Sequence, residues 1–72
     1  MLDSKTKRAI EDLVTSMGRQ IAKINEDKET LNSIVRVSGN PDNIDDLRRV
    51  ISKMAEAEEA LRVAKSRLNN LL

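Results

Sequence analysis

VRVSGNPDNIDD, residues 35–46, holds the chain's one concentration of helix-breaking residues, and its reading decides the fold. Gly39 suits the left-handed conformation that closes a helix C-terminus. Pro41 cannot continue the helix before it, but its fixed φ fits the first turn of a new one. Asn43 reads as the N-cap of that new helix, with Asp45 and Asp46 in its first turn, where the helix dipole favours anions. Asn40 capping a helix that starts at Pro41 is the alternative. Either way, the stretch is a stop, a short turn and a restart. A loop this short makes antiparallel neighbours of the helices it joins.

Both flanks carry the same spacing. Upstream, Ile10, Val14, Met17, Ile21, Ile24, Lys28, Leu31 and Val35 follow at alternating steps of four and three, and seven of the eight are apolar. Downstream, Leu47, Val50, Met54, Ala57, Leu61, Ala64, Leu68 and Leu71 form an unbroken row of the same kind. A period of 3.5 puts each row on one helical stripe, the pattern of a coiled coil. Strand alternation is absent and good helix formers fill the exposed positions. The chain is therefore expected to be all-α. It reads as a single domain over residues 1–72, with helices over about 3–37 and 43–70, a turn over 38–43, and a length of about 40–50 Å. In this register Ile24 faces Ala57, Met17 faces Ala64, and Leu13 and Ile10 meet Leu68 and Leu72. Large residues oppose small ones, so the helices approach closely.

Two helices do not enclose a core. Leu13 and Ile34 flank the first stripe, and Ile44, Ile51, Ala55 and Leu72 flank the second. A stripe widened in this way calls for a further neighbour. Self-association is expected, most simply a dimer giving a four-helix bundle, or docking onto a partner helix.

Composition narrows the chemistry. The 72 residues contain no Phe, Tyr, Trp, Cys or His; 39% are hydrophobic, 35% are charged, and the net charge is +1. Without His or Cys the commonest general base and the best nucleophile are missing, so no enzyme is expected. Glu11-Asp12, Glu26-Asp27, Asp45-Asp46 and Glu58-Glu59 read as solvated helix faces. SGNPDN lacks the glycine pattern and Lys-Ser/Thr of a phosphate loop. Asp42, Asn43, Asp45 and Asp46 lack EF-hand spacing, and capping explains them better than calcium. No cofactor, metal, small-molecule substrate or membrane contact is expected. No apolar run nears the ~20 residues that span a bilayer, and an intracellular, cytoplasmic, soluble protein is the default.

Two interruptions stand out. NEDKET, residues 25–30, puts Lys28 inside the first stripe. A polar seam residue can fix register and oligomer state, or Lys28 contacts a partner or a phosphate. If it only fixes register, Lys28→Leu should stabilise the hairpin by about 1 kcal/mol. Gly18, inside the first helix, marks either a bend or a close helix contact.

Basic residues are interleaved with acidic ones. Lys5, Lys7, Arg8, Arg19 and Lys23 fall near the open end with Arg62, Lys65 and Arg67, and Arg36, Arg48, Arg49 and Lys53 fall near the turn.

Two resemblances follow from the middle of the chain. Leu31-x-x-Ile34-x-Arg36-x-x-Gly39, then Ile44-Asp45-Asp46-Leu47-x-x-Val50-Ile51, resembles the small tail-fibre assembly helpers of T4-type phages, over about the middle third. That resemblance implies a short helical chaperone that does not become part of the fibre. INEDKETLNSI and LRRVISKM (Leu47 to Met54) resemble GapR-type nucleoid proteins and related phage double-stranded DNA-binding proteins. That one implies a helical dimer tracking the duplex backbone through Lys28, Arg48, Arg49 and Lys53. The near-neutral charge and shorter connection here depart from that family. Two readings thus stand: a self-associating protein-interaction module (assembly helper, adaptor or inhibitor) that binds another protein, or a dimeric DNA-binding protein. Composition favours the first.

Overall fold

Asp3 opens the first helix. Its Oδ1 accepts a hydrogen bond from the Thr6 backbone N–H at 2.7 Å, occupying one of the donors that a helix N-terminus leaves without a partner. The computed structural model describes residues 2–37 and 41–72, the side chains of 41 and 42 excepted. Helix α1 spans Ser4–Val37 and helix α2 spans Pro41–Asn69. The polar residues within α1 do not break it. Thr15, Thr30 and Ser33 each donate their hydroxyl to the carbonyl four residues back, at Glu11, Glu26 and Glu29. At the other end of the chain, Leu71 N–H and Leu72 N–H donate to Leu68 O and Asn69 O, tightening the final turn.

The two helices pack against each other. They run antiparallel: Lys28, late in α1, meets Glu58 in the middle of α2, while Gly18, earlier in α1, lies beside Lys65, later in α2. The hairpin measures 56 × 14 × 11 Å with a radius of gyration of 16.7 Å. A compact domain of this length would have about 11 Å. The core is correspondingly thin. Among the described residues only Ile10 and Ile21 are buried, at 9% and 7% exposure.

Three expectations need correction. Helix α2 begins at Pro41, the start that the alternative reading gives, so Asn43 lies inside it and is not its cap, and Asp45 and Asp46 fall beyond its first turn. The stop at Gly39 and the cap at Asn40 lie outside the described residues.

The second correction concerns the face that α2 turns inward. All eight upstream stripe positions, Ile10 to Val35, are buried or half-buried. On α2 the half-buried row is Ile44, Leu47, Ile51, Met54, Glu58, Leu61, Lys65 and Leu68. Val50, Ala57, Ala64 and Leu71, expected in the seam, are exposed. Helix α2 is therefore rotated by about half of one residue's 100° step. The physical reason is twofold. The rotation turns Ile51 inward in place of the smaller Val50 and adds Ile44 to the row, while Glu58 and Lys65 take the places of Ala57 and Ala64. It also sets Glu58 opposite Lys28.

Third, Ile44 and Ile51 are consequently seam residues rather than outer ones. Leu13, Ile34, Ala55 and Leu72 are exposed.

Candidate interaction surfaces

The centre of the seam is an ion network. Lys28 Nζ stands 3.0 Å from Glu58 Oε1, with the two side chains 19% and 12% exposed. Glu58 Oε2 accepts from Arg62 Nε at 3.2 Å and Nη2 at 3.0 Å, one turn along the same helix. Oε1 is buried and no donor points squarely at it, so the Lys28 contact is an ion pair held by Coulomb attraction more than by direction. The Lys28 ammonium first, and then the Arg62 guanidinium, hold the Glu58 carboxyl below its ordinary value despite the opposing effect of burial. Lys28 thus has its head occupied within the hairpin.

Beside this network lies an open groove of about 660 Å³ whose lining includes Gly18, Asn25, Arg62, Lys65 and Asn69. A Cβ on Gly18 would sit 3.4 Å from Lys65 Nζ and 3.8 Å from its Cε. Gly18 therefore faces the mobile tip of a lysine across the groove. It marks no tight backbone-to-backbone approach.

The groove also defines the two wide faces of the hairpin. Gly18 and Asn25 directly follow the seam residues Met17 and Ile24, and Arg62 and Asn69 directly follow Leu61 and Leu68. Because all four line one groove, positions that follow a seam residue in this way share one face. It is polar, carrying Glu11, Asn25, Asn32, Arg48, Arg62 and Asn69. Residues directly preceding the other seam members take the opposite face: Leu13, Gln20, Asp27 and Ile34 on α1, and Asn43, Val50, Ala57 and Ala64 on α2, so its apolar members gather toward its two ends with the alanines between them on α2. Leu13, Ile34, Val50 and Leu71 are 53%, 43%, 47% and 59% exposed. Val50, Met54 and Ala57 border a shallow apolar depression there. The hairpin is thus two-sided.

The basic residues near the turn are partly engaged. Arg49 lies 3.8 Å from Asp46, and Lys53 lies 3.4 Å from Glu56, both exposed pairs of the kind worth little in water. Arg48 is exposed on the polar face. Lys28, Arg48, Arg49 and Lys53 do not all converge: Lys28 is in the seam, Arg48 is on the polar face, and Arg49 and Lys53 lie one turn apart beside the depression at Val50.

Among the described residues no three His, Cys, Asp or Glu side chains gather as a metal-holding group, and no helix is long and apolar enough to cross a membrane. No family model, no curated protein and no solved structure matches the chain.

Two features of these surfaces escaped the sequence reading. Glu58 looked like one half of a solvated Glu58-Glu59 pair, and the signal that singles it out is its place three and four residues from Leu61 and Met54. The division of the apolar residues between seam and outer face is not legible in the spacing, because Val50 and Ile51 are adjacent and both apolar.

Proposed function

We propose that the chain is a small non-enzymatic helical interaction module, which self-associates and presents a helical surface to a protein partner, as an assembly helper, adaptor or inhibitor does. The observation that carries this is the unfinished core. The hairpin exposes 5571 Å², against about 4500 Å² for a compact monomer of its mass. The excess is what a chain leaves uncovered when its fold is completed by a neighbour. In this reading it works inside the cell, where a four-helix bundle of two copies is the simplest completed form. The resemblance to tail-fibre assembly helpers supports the same class. The DNA-binding alternative loses support from Lys28, whose ammonium is held by Glu58.

Sedimentation equilibrium from low to high micromolar concentration tests the reading. A concentration-dependent rise from one copy to two or more is expected, and a monomer throughout overturns it. A gel-shift titration with duplex DNA at two salt concentrations tests the alternative. Retarded DNA whose binding weakens steeply with salt would replace the interaction module by the DNA-binding protein.

A further inference from the structure

The apolar wide face has a spacing that fits a second copy of itself. Leu13 and Ile34 stand three heptads apart on α1, about 32 Å, and Val50 on α2 stands the same number of residues before Leu71, in the turn that follows the helix end at Asn69. Leu13 and Leu71 lie toward the open end, while Ile34 and Val50 lie toward the turn. Between these two apolar ends, α2 offers Ala57 and Ala64, small enough for another helix to approach closely, and α1 carries the polar Gln20 and Asp27.

We propose that two hairpins stack through this face, open end on open end, so that α1 of each copy lies over α2 of the other. The proposal rests on the self-association reading and specifies its surface. A two-fold arrangement makes one self-complementary patch serve both copies. With matched spacings, Leu13 meets Leu71 and Ile34 meets Val50 at the two ends simultaneously.

The area suffices. A face of 56 by 14 Å between Cα positions offers about 800 Å² per copy, the amount a standard specific interface buries on each side. Covering it would bring the exposed surface of each chain close to that of a compact monomer.

Charge selects the arrangement. Stacking open end on turn would lay α2 along α2 and bring Arg67 level with Lys53 of the second copy, like charges opposed. Stacking open end on open end instead lays α1 along α2 and avoids that opposition. The polar face, with Arg62 and Lys65 in its groove, is left pointing outward on both sides of the bundle.

Two alanines provide a matched test. Ala55 and Ala57 are both exposed on α2, on opposite wide faces, so an Asp at either position carries the same helix-propensity penalty. Sedimentation should show A57D monomeric where the wild type is dimeric, with A55D still dimeric and both helical by circular dichroism. Dissociation by A55D and not by A57D, or by both alike, overturns this face while leaving self-association intact. A wild type that is monomeric throughout overturns both. A nitroxide on N70C, the only cysteine in such a chain, then reads the arrangement. An inter-label distance well under half the 56 Å hairpin length supports open end on open end, and a distance near that full length overturns it.

Discussion

Lys28 and Glu58 meet across the two helices at 3.0 Å, each from the middle of its stripe. This contact changes what the lysine means. Considered alone on α1 it is a polar interruption that a leucine would repair. Paired with Glu58, it is half of a partly desolvated ion pair, and removing one half leaves the other without its partner. The pair also selects one alignment of the helices, because sliding α2 by a turn would place an apolar residue against each charge.

The expected effect of Lys28→Leu is therefore a lower melting temperature. Glu58 keeps Arg62 but loses the ammonium at its buried oxygen. Replacing both, with Lys28→Leu and Glu58→Leu together, should raise the melting temperature above that of the wild type, since apolar substitutes for a buried pair are often stabilising. Thermal melts of the wild type, the single variant and the double variant check the order. A single variant more stable than the wild type would mean that the pair contributes nothing to the fold.

Acid should unfold the hairpin through Glu58 and Asp3. Glu58 lies below its ordinary value of 4.5, chiefly through Lys28 and then Arg62. Asp3 lies below 3.8 through the Thr6 amide and then the Thr6 hydroxyl. A carboxyl depressed by folding stabilises the native state fully above its unfolded value, and that stability is lost as pH falls through the folded value. Melting temperature should thus hold steady from neutral pH down to just above 4.5 and fall below it. Glu58→Gln should start lower at neutral pH and show a shallower acid decline. A decline equally steep in Glu58→Gln would assign the acid sensitivity to other groups.

Gly18→Ala should stabilise. The added Cβ meets the flexible end of Lys65 at an ordinary contact distance, and a helical glycine costs roughly 0.5–1 kcal/mol relative to alanine. A melting temperature raised by a few degrees is expected. A fall would mean that the Lys65 head is pinned where the Cβ goes.

Ile21 carries the most complete burial among the described residues, at 7% exposure. Ile21→Ala should cost about 2–5 kcal/mol, a large share of the stability available to so small a core. Leu13→Ala, at an exposed position, should leave the hairpin itself nearly unchanged at concentrations where it is monomeric. Urea titrations of the two variants under dilute conditions check the contrast, and equal losses would contradict the placement of Leu13 on the outer face.

The sequence by itself determined two helices, their antiparallel course and the inward stripe of α1. Each rests on local physics: the 3.5 period from Ile10 to Val35, the break around Gly39 and Pro41, and the absence of any strand pattern. It was also sufficient to put Lys28 in that stripe. On α2 it left the rotation open. The row through Val50, Ala57 and Ala64 and the row through Ile51, Glu58 and Lys65 lie side by side, and both satisfy the spacing. Periodicity weighs one helix at a time, and on that basis an unbroken apolar row looks better than one holding Glu58 and Lys65. Only the packed pair decided between them, because a count along α2 weighs Glu58 as a gap in the row and not as the partner of Lys28 across the seam. That same rotation moved Val50, Ala57 and Ala64 outward, onto the wide face that carries Leu13 and Ile34.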